Sequence, residues 1–98
     1  MRGKRNDIMG RGGEADADAP LTDEEFDRGY GAMLARQARA AAGLSQAAFA
    51  AQYGIPVASL RDWEQGRRAT DATTQSYLRV IARMPEAVAK ALHDAARA

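Results

Sequence analysis

The side chains able to do covalent or metal chemistry are few. There is no cysteine and a single histidine, His93. One histidine with no thiols and no ordered acidic spacing around it makes no metal site, and no cofactor is expected. The carboxylates gather near the N-terminus and at helix starts, where capping and solubility account for them, and no serine has a base partner in the sequence. The chain is therefore read as a binding protein rather than an enzyme. What remains is fixed positive charge: Arg67 and Arg68 directly follow Gly66. Two adjacent arginines alone fit a solvated surface pair or a phosphate site. Their place after a turn glycine, beside a short helix whose first turns point outward, favours phosphate.

The elements that must position these groups are helices. Alanine supplies 23 of the 98 residues and arginine 12 of the 14 basic ones, a composition that favours the helical state because alanine loses no side-chain entropy there. The net charge of +1 hides an asymmetry. Residues 1–25 hold four basic and seven acidic groups, net −3, whereas residues 26–98 hold ten and six, net +4. Residues 1–20 are glycine-rich, then acidic, with too few apolar groups to offset ordering entropy, and are expected to be a flexible, disordered tail. Arg2, Lys4, Arg5 and Arg11 could form an arm for a minor groove, but the acidic stretch after them favours a solvated tail. The opening residues lack the apolar run of a signal peptide, and no stretch approaches the roughly 20 apolar residues of a membrane span. With no disulfide framework available, a cytoplasmic protein without membrane partners is expected.

Residues 21–98 read as one all-α domain of five helices. Thr22 and Glu25 make a capping box, and Phe26, Tyr30, Met33, Leu34, Ala38 and Ala41 recur at helical spacing up to Gly43, with a break possible near Gly29 and Gly31. Ser45 caps a short second helix carrying Phe49 and Ala50 inward, which stops at Gly54. Pro56 sits at the start of a third helix, about Val57 to Gln65, that buries Leu60 and Trp63. Thr70 or Asp71 caps a fourth helix with Tyr77, Leu78, Ile81 and Val80 facing neighbours. Pro85 and Glu86 open a fifth, with Val88, Leu92 and Ala95 along one side. Helices four and five span about 71–97.

Two short helices joined by a tight turn, about residues 45–65, must cross at a large angle, with Ile55, Leu60 and Trp63 filling the space between them. The first turns of the third helix then project as a major groove about 12 Å wide would require. Gly43-Leu44-Ser45-Gln46, Phe49-Ala50, Tyr53-Gly54-Ile55-Pro56, Ser59-Leu60 and Trp63-Glu64-Gln65-Gly66-Arg67-Arg68 resemble the Cro/C1-type (XRE) helix-turn-helix family over about residues 32–82. The continuation from Tyr77 to Val88 is similar to antitoxins of the HigA type. The resemblance implies a lambda-repressor-like DNA-binding domain.

It also implies roles. Gln46 would hold a phosphate or an adjacent base edge. Val57, Ala58, Arg61 and Asp62 would face the groove, the two apolar residues against thymine methyls, and Ser59 would reach a phosphate or pack at the turn. Arg61 would read guanine or bind phosphate, and Asp62 would accept from cytosine or pair with Arg61. Arg67 and Arg68 would reach the backbone beside the groove, and Arg39 would bridge Glu64, locking the first helix to the third. The resemblance further implies a homodimer reading a palindromic operator in double-stranded DNA, with Tyr77, Ile81, Val88 and Leu92 as candidates for the dimer interface. The HigA likeness adds a RelE-fold toxin as partner, to which the acidic segment from Glu14 to Glu25 could dock. A stand-alone regulator shares the same features, and a protein-interaction module with weak DNA binding is the rival of a different class.

Overall fold

A computed structural model describes residues 20–97. The expected flexible tail, with the arginines and lysine of its proposed arm and the acidic residues Glu14, Asp16 and Asp18, lies outside the described residues apart from Pro20. Among the described residues there are five α-helices and no strand: α1 Asp23–Ala42, α2 Gln46–Tyr53, α3 Val57–Glu64, α4 Ala72–Arg83 and α5 Pro85–Arg97.

Each boundary has a local cause. The Thr22 hydroxyl accepts from the Glu25 amide at 3.0 Å and the Glu25 carboxylate accepts from the Thr22 amide at 2.9 Å, so two otherwise orphaned donors at the start of α1 are satisfied. Asp23, Glu24 and Glu25 put negative charge on the same turn. Ser45 Oγ accepts from the Ala48 amide at 3.1 Å, and Asp71 Oδ1 from the Thr74 amide at 2.8 Å, so Asp71 rather than Thr70 caps α4. Pro56 occupies the position before α3 and Pro85 opens α5, where its missing N–H costs nothing.

No break interrupts α1 at Gly29 or Gly31. The two glycines differ: a Cβ on Gly29 would meet nothing within 4 Å, whereas one on Gly31 would lie 2.7 Å from Thr70 Oγ1. Gly31 is thus a point where α1 packs tightly on the chain entering α4. The buried Thr70 hydroxyl beside it has no hydrogen-bond partner among the described residues.

Leu34, Ala35 and Ala38 of α1, Phe49, Ala50 and Tyr53 of α2, Ile55, Leu60 of α3, and Leu78 and Ile81 of α4 form the core. The Phe49 and Tyr53 rings tilt against each other with centroids 4.7 Å apart. Tyrosine hydroxyls tie the helices outside this core. Tyr77 donates to the Tyr53 carbonyl at 2.6 Å, and Tyr53 donates to the Pro85 carbonyl at 2.8 Å, linking α4, α2 and the first turn of α5 in series. Burial, then the nearby Tyr53, pushes the Tyr77 phenol above its ordinary pKa.

Several expectations are corrected. Ile81 is fully buried in the monomer and is not available to a partner. Tyr77 is half-buried with its hydroxyl engaged, and Val88 packs half-buried against the core, leaving Leu92 as the exposed member of that set. Val80, expected to face neighbours, is exposed, and so are Phe26 and Met33, whose helical spacing continues the apolar stripe of α1.

Candidate nucleic-acid interface

The α2–turn–α3 unit is built on one corner. Gly54 closes α2 with φ 69°, a left-handed conformation that side-chain-bearing residues rarely adopt, and its amide donates to the Ala50 carbonyl. Only Ile55 and Pro56 separate it from α3, so the chain turns sharply with Ile55 buried beneath the corner and Leu60 beneath α3.

The end of α3 is anchored on a carboxylate. Glu64 is buried, with a side chain 5% exposed, yet it carries three donors. Arg39 Nε reaches Glu64 Oε2 at 2.7 Å, Arg39 Nη2 reaches Oε1 at 3.0 Å, and Gln46 Nε2 reaches the same Oε1 at 3.2 Å. Arg39 Nη1 also donates to the Leu44 carbonyl at 3.2 Å, and Arg36 donates to the Glu64 carbonyl. The hydrogen bond to Glu64 raises the Arg39 pKa further, against the opposing effect of burial, so this cation is permanent. A buried carboxylate is tolerated because a bidentate guanidinium and an amide satisfy it, and the same contacts clamp α1, α2 and α3. Arg36 and the Gln46–Glu64 bond are additions to the expected Arg39–Glu64 bridge. Arg36 stands three residues before Arg39, one turn along the same side of α1, which was the available signal.

The α3 residues divide by environment. Ala58 and Arg61 are exposed, Ser59 and Asp62 half-buried, and Val57 packs half-buried against the core. Trp63 is also half-buried and packs on the core. Asp62 does not stand alone: Arg67 Nη1 lies 3.9 Å from its Oδ1 and Arg68 Nη2 3.7 Å from its Oδ2, so the loop arginines converge on it. Arg68 also donates to Ser59 Oγ at 3.1 Å. Asp62, Ser59, Arg67 and Arg68 thus form one polar cluster at the outer side of α3, with Arg61 exposed beyond it. Gln46, expected to meet a phosphate, has its amide turned to Glu64.

This arrangement offers a short, exposed helix flanked by guanidinium groups, the geometry for placing a helix in a groove between phosphate backbones. Among the described residues there is no group of three or more histidine or acidic side chains placed to hold a metal ion, and no helix is long and apolar enough to cross a membrane. Residues 36–81 match the family model described as Helix-turn-helix. No curated protein and no solved structure matches the chain. The matched segment runs from Arg36 to Ile81 and so takes in the Arg39–Glu64 clamp, the α2–α3 corner, the loop arginines and most of α4.

Proposed function

We propose, from a helix-turn-helix domain spanning residues 36–81, that this protein is a sequence-specific DNA-binding transcriptional regulator acting as a homodimer on a palindromic operator. The observation that supports this most strongly is the exposed face of α3 flanked by Arg67 and Arg68 and held rigid by the Arg39–Glu64 clamp. A single recognition helix contacts too few base pairs to discriminate, whereas two copies one helical turn apart, roughly 34–36 Å, read enough. In this reading Ala58, and Val57 where its half-buried side chain allows, meet thymine methyls. Arg61 reads a base edge or holds a phosphate. Arg67 and Arg68 move from Asp62 to phosphates, and Gln46 supports the backbone contact at the start of α2.

Fluorescence anisotropy against the protein's own promoter and a scrambled duplex, at moderate and high salt, tests it. Binding tighter to the promoter by about 10³-fold or more is expected. Equal, weak and salt-erased binding to both would reject the regulator in favour of a protein-interaction module.

Within this function we read the protein as an antitoxin that represses its own operon and neutralises a RelE-fold toxin. The support is the likeness of the stretch from Tyr77 to Val88 to HigA-type antitoxins. Co-expression with the product of an adjacent small basic reading frame checks it. A stable complex and relief of growth arrest are expected, and their absence leaves the stand-alone regulator.

A further inference from the structure

The groove between α1 and α4, of ≈ 870 Å³, is apolar in the middle and carries cations on one rim. Tyr30, Met33 and Leu34 of α1 face Val80 of α4 and Met84, which caps that helix, across it. Met33, Val80 and Met84 are 42%, 48% and 56% exposed, and Phe26, 60% exposed, stacks on Tyr30 with ring planes 4° apart. Phe26, Tyr30 and Met33 recur at i, i+4 and i+7, so one stripe of α1 is apolar to its N-terminal end although α4 no longer covers it there. This is the side of α1 that does not hold α3, which is clamped through Arg36 and Arg39. Exposed apolar side chains scattered singly need no explanation, but a contiguous set lining a groove marks a docking surface.

The charges around the groove indicate what docks. Arg79 and Arg83, one turn apart on α4, line it, and neither has a carboxylate partner among the described residues; Arg79 donates only to the hydroxyls of Tyr30 and Ser76. The fitting ligand is a helix with an apolar stripe flanked by two carboxylates one turn apart. The first half of α1 is such a helix. Asp23 and Asp27, one turn apart, flank the Phe26–Tyr30–Met33 stripe, are exposed, and have no cationic partner among the described residues, unlike Glu24, which pairs with Arg28 at 3.0 Å.

We infer that this face binds the same face of a second copy. The two α1 helices lie antiparallel about a two-fold axis near Tyr30 and Met33, with Asp23 and Asp27 of each copy against Arg79 and Arg83 of the other. The arrangement is isologous and closes on itself. It takes the place of the α4–α5 surface expected from sequence, of which Ile81 is buried in the monomer core and Tyr77 and Val88 are half-buried against it. The inference names the dimer surface of the proposed regulator and rests on that reading for the use of two copies. Its test contains no DNA, so the two fail separately.

Sedimentation equilibrium of the full chain, from low micromolar to several hundred micromolar, is expected to show a monomer–dimer equilibrium. Met33→Glu with Val80→Glu should weaken it at least tenfold, whereas Leu92→Glu should leave it unchanged. Two charge reversals provide the decisive arm. Asp23→Lys with Asp27→Lys, and separately Arg79→Glu with Arg83→Glu, should each give monomers. An equimolar mixture of the two should form a heterodimer, because both charge ladders are then restored. Merely misfolded variants would not be rescued by mixing. A wild-type monomer throughout the range, dimers that resist the α1 and α4 changes, dissociation by Leu92→Glu, or no heterodimer in the mixture would each overturn the proposal.

Discussion

Two faces of this small bundle carry most of its arginine, and they treat it in opposite ways. On the α3 face every arginine but Arg61 is already engaged: Arg39 and Arg36 with Glu64, Arg67 and Arg68 with Asp62. On the α1–α4 face Arg79 and Arg83 have no carboxylate partner among the described residues, and the surface between them and α1 is apolar. Engaged charges hold side chains in position before a ligand arrives, and must be exchanged for the ligand's charges. Unengaged charges beside exposed apolar groups are complementary to something that brings both carboxylates and hydrocarbon. The difference separates a surface shaped for a uniformly anionic partner from one shaped for a helix.

The contrast breaks most severely at Glu64. Glu64→Ala leaves Arg39 half-buried without its partner and releases Arg36 and Gln46 from the same anchor. A loss of about 3–5 kcal/mol is expected in urea unfolding. By comparison, Met33→Glu on the other face should lower monomer stability by only about 1 kcal/mol, because that side chain is 42% exposed and lies outside the core.

The two α1 glycines sharpen the comparison between a covered and an open side of one helix. Gly31→Ala pushes a methyl group to 2.7 Å from the Thr70 hydroxyl and should lower stability by about 1–3 kcal/mol. Gly29→Ala meets nothing and should raise it by about 0.5–1 kcal/mol, read as opposite shifts in thermal midpoint.

At Asp62 the effect is smaller. Asp62→Asn frees Arg67 and Arg68, so affinity for scrambled DNA should rise roughly two- to fivefold, the scale of exposed pairs worth about 0.5–1 kcal/mol. Affinity for the operator should rise less, narrowing the specificity ratio. Equal gains on both duplexes would show that Asp62 restrains charge without touching a base.

The smallest effects concern titration. Hydrogen bonds from the Thr22 and Thr74 amides hold the Glu25 and Asp71 carboxyls below their ordinary pKa values. A depressed folded-state pKa adds stability that is fully present above the unfolded value, about pH 4, and is lost as pH falls through the folded one. Circular dichroism should therefore show the helix caps weakening only in acid. At the alkaline end the sign reverses for Tyr77, whose raised pKa favours the fold below about pH 10 and loses that contribution as pH rises through its folded value. Difference absorbance near the tyrosinate band, compared with Tyr77→Phe, should place its ionisation later than an ordinary phenol.

How far the sequence discloses this molecule depends on whether a feature is local. The capping box at Thr22, the cap at Ser45, the glycine corner at Gly54 and the proline start of α5 are short-range chemistry, and all are legible from neighbouring residues. The inward set of Phe49, Leu60 and Leu78 follows from helical period. Period alone cannot say where one helix outruns its neighbour, which is why Phe26 continues the Tyr30 stripe yet faces water. It also cannot separate a core from a dimer interface, since both demand apolar residues at the same spacing, and Ile81 fell on the wrong side of that line. The Arg39–Glu64 bridge was legible through family likeness, not through spacing. The turn of Asp62 toward Arg67 and Arg68 depends on how the loop after Gly66 folds back, which nothing in the local pattern announces.

The fifth helix is an element fastened at one end. Pro85 is held by the Tyr53 hydroxyl and Val88 and Ala89 rest on the core, but the helix has no fully buried residue and its later turns are exposed, with the Lys90–Asp94 pair at 2.6 Å on the surface. In hydrogen exchange this helix should not behave as a unit. Amides donated within the stretch around Val88 and Ala89 should open with the core, while those beyond about His93 should exchange by local fraying at rates set by the helix end alone. One helix would then carry two clocks, a slow one reporting on the whole domain and a fast one reporting on nothing but its own last turns.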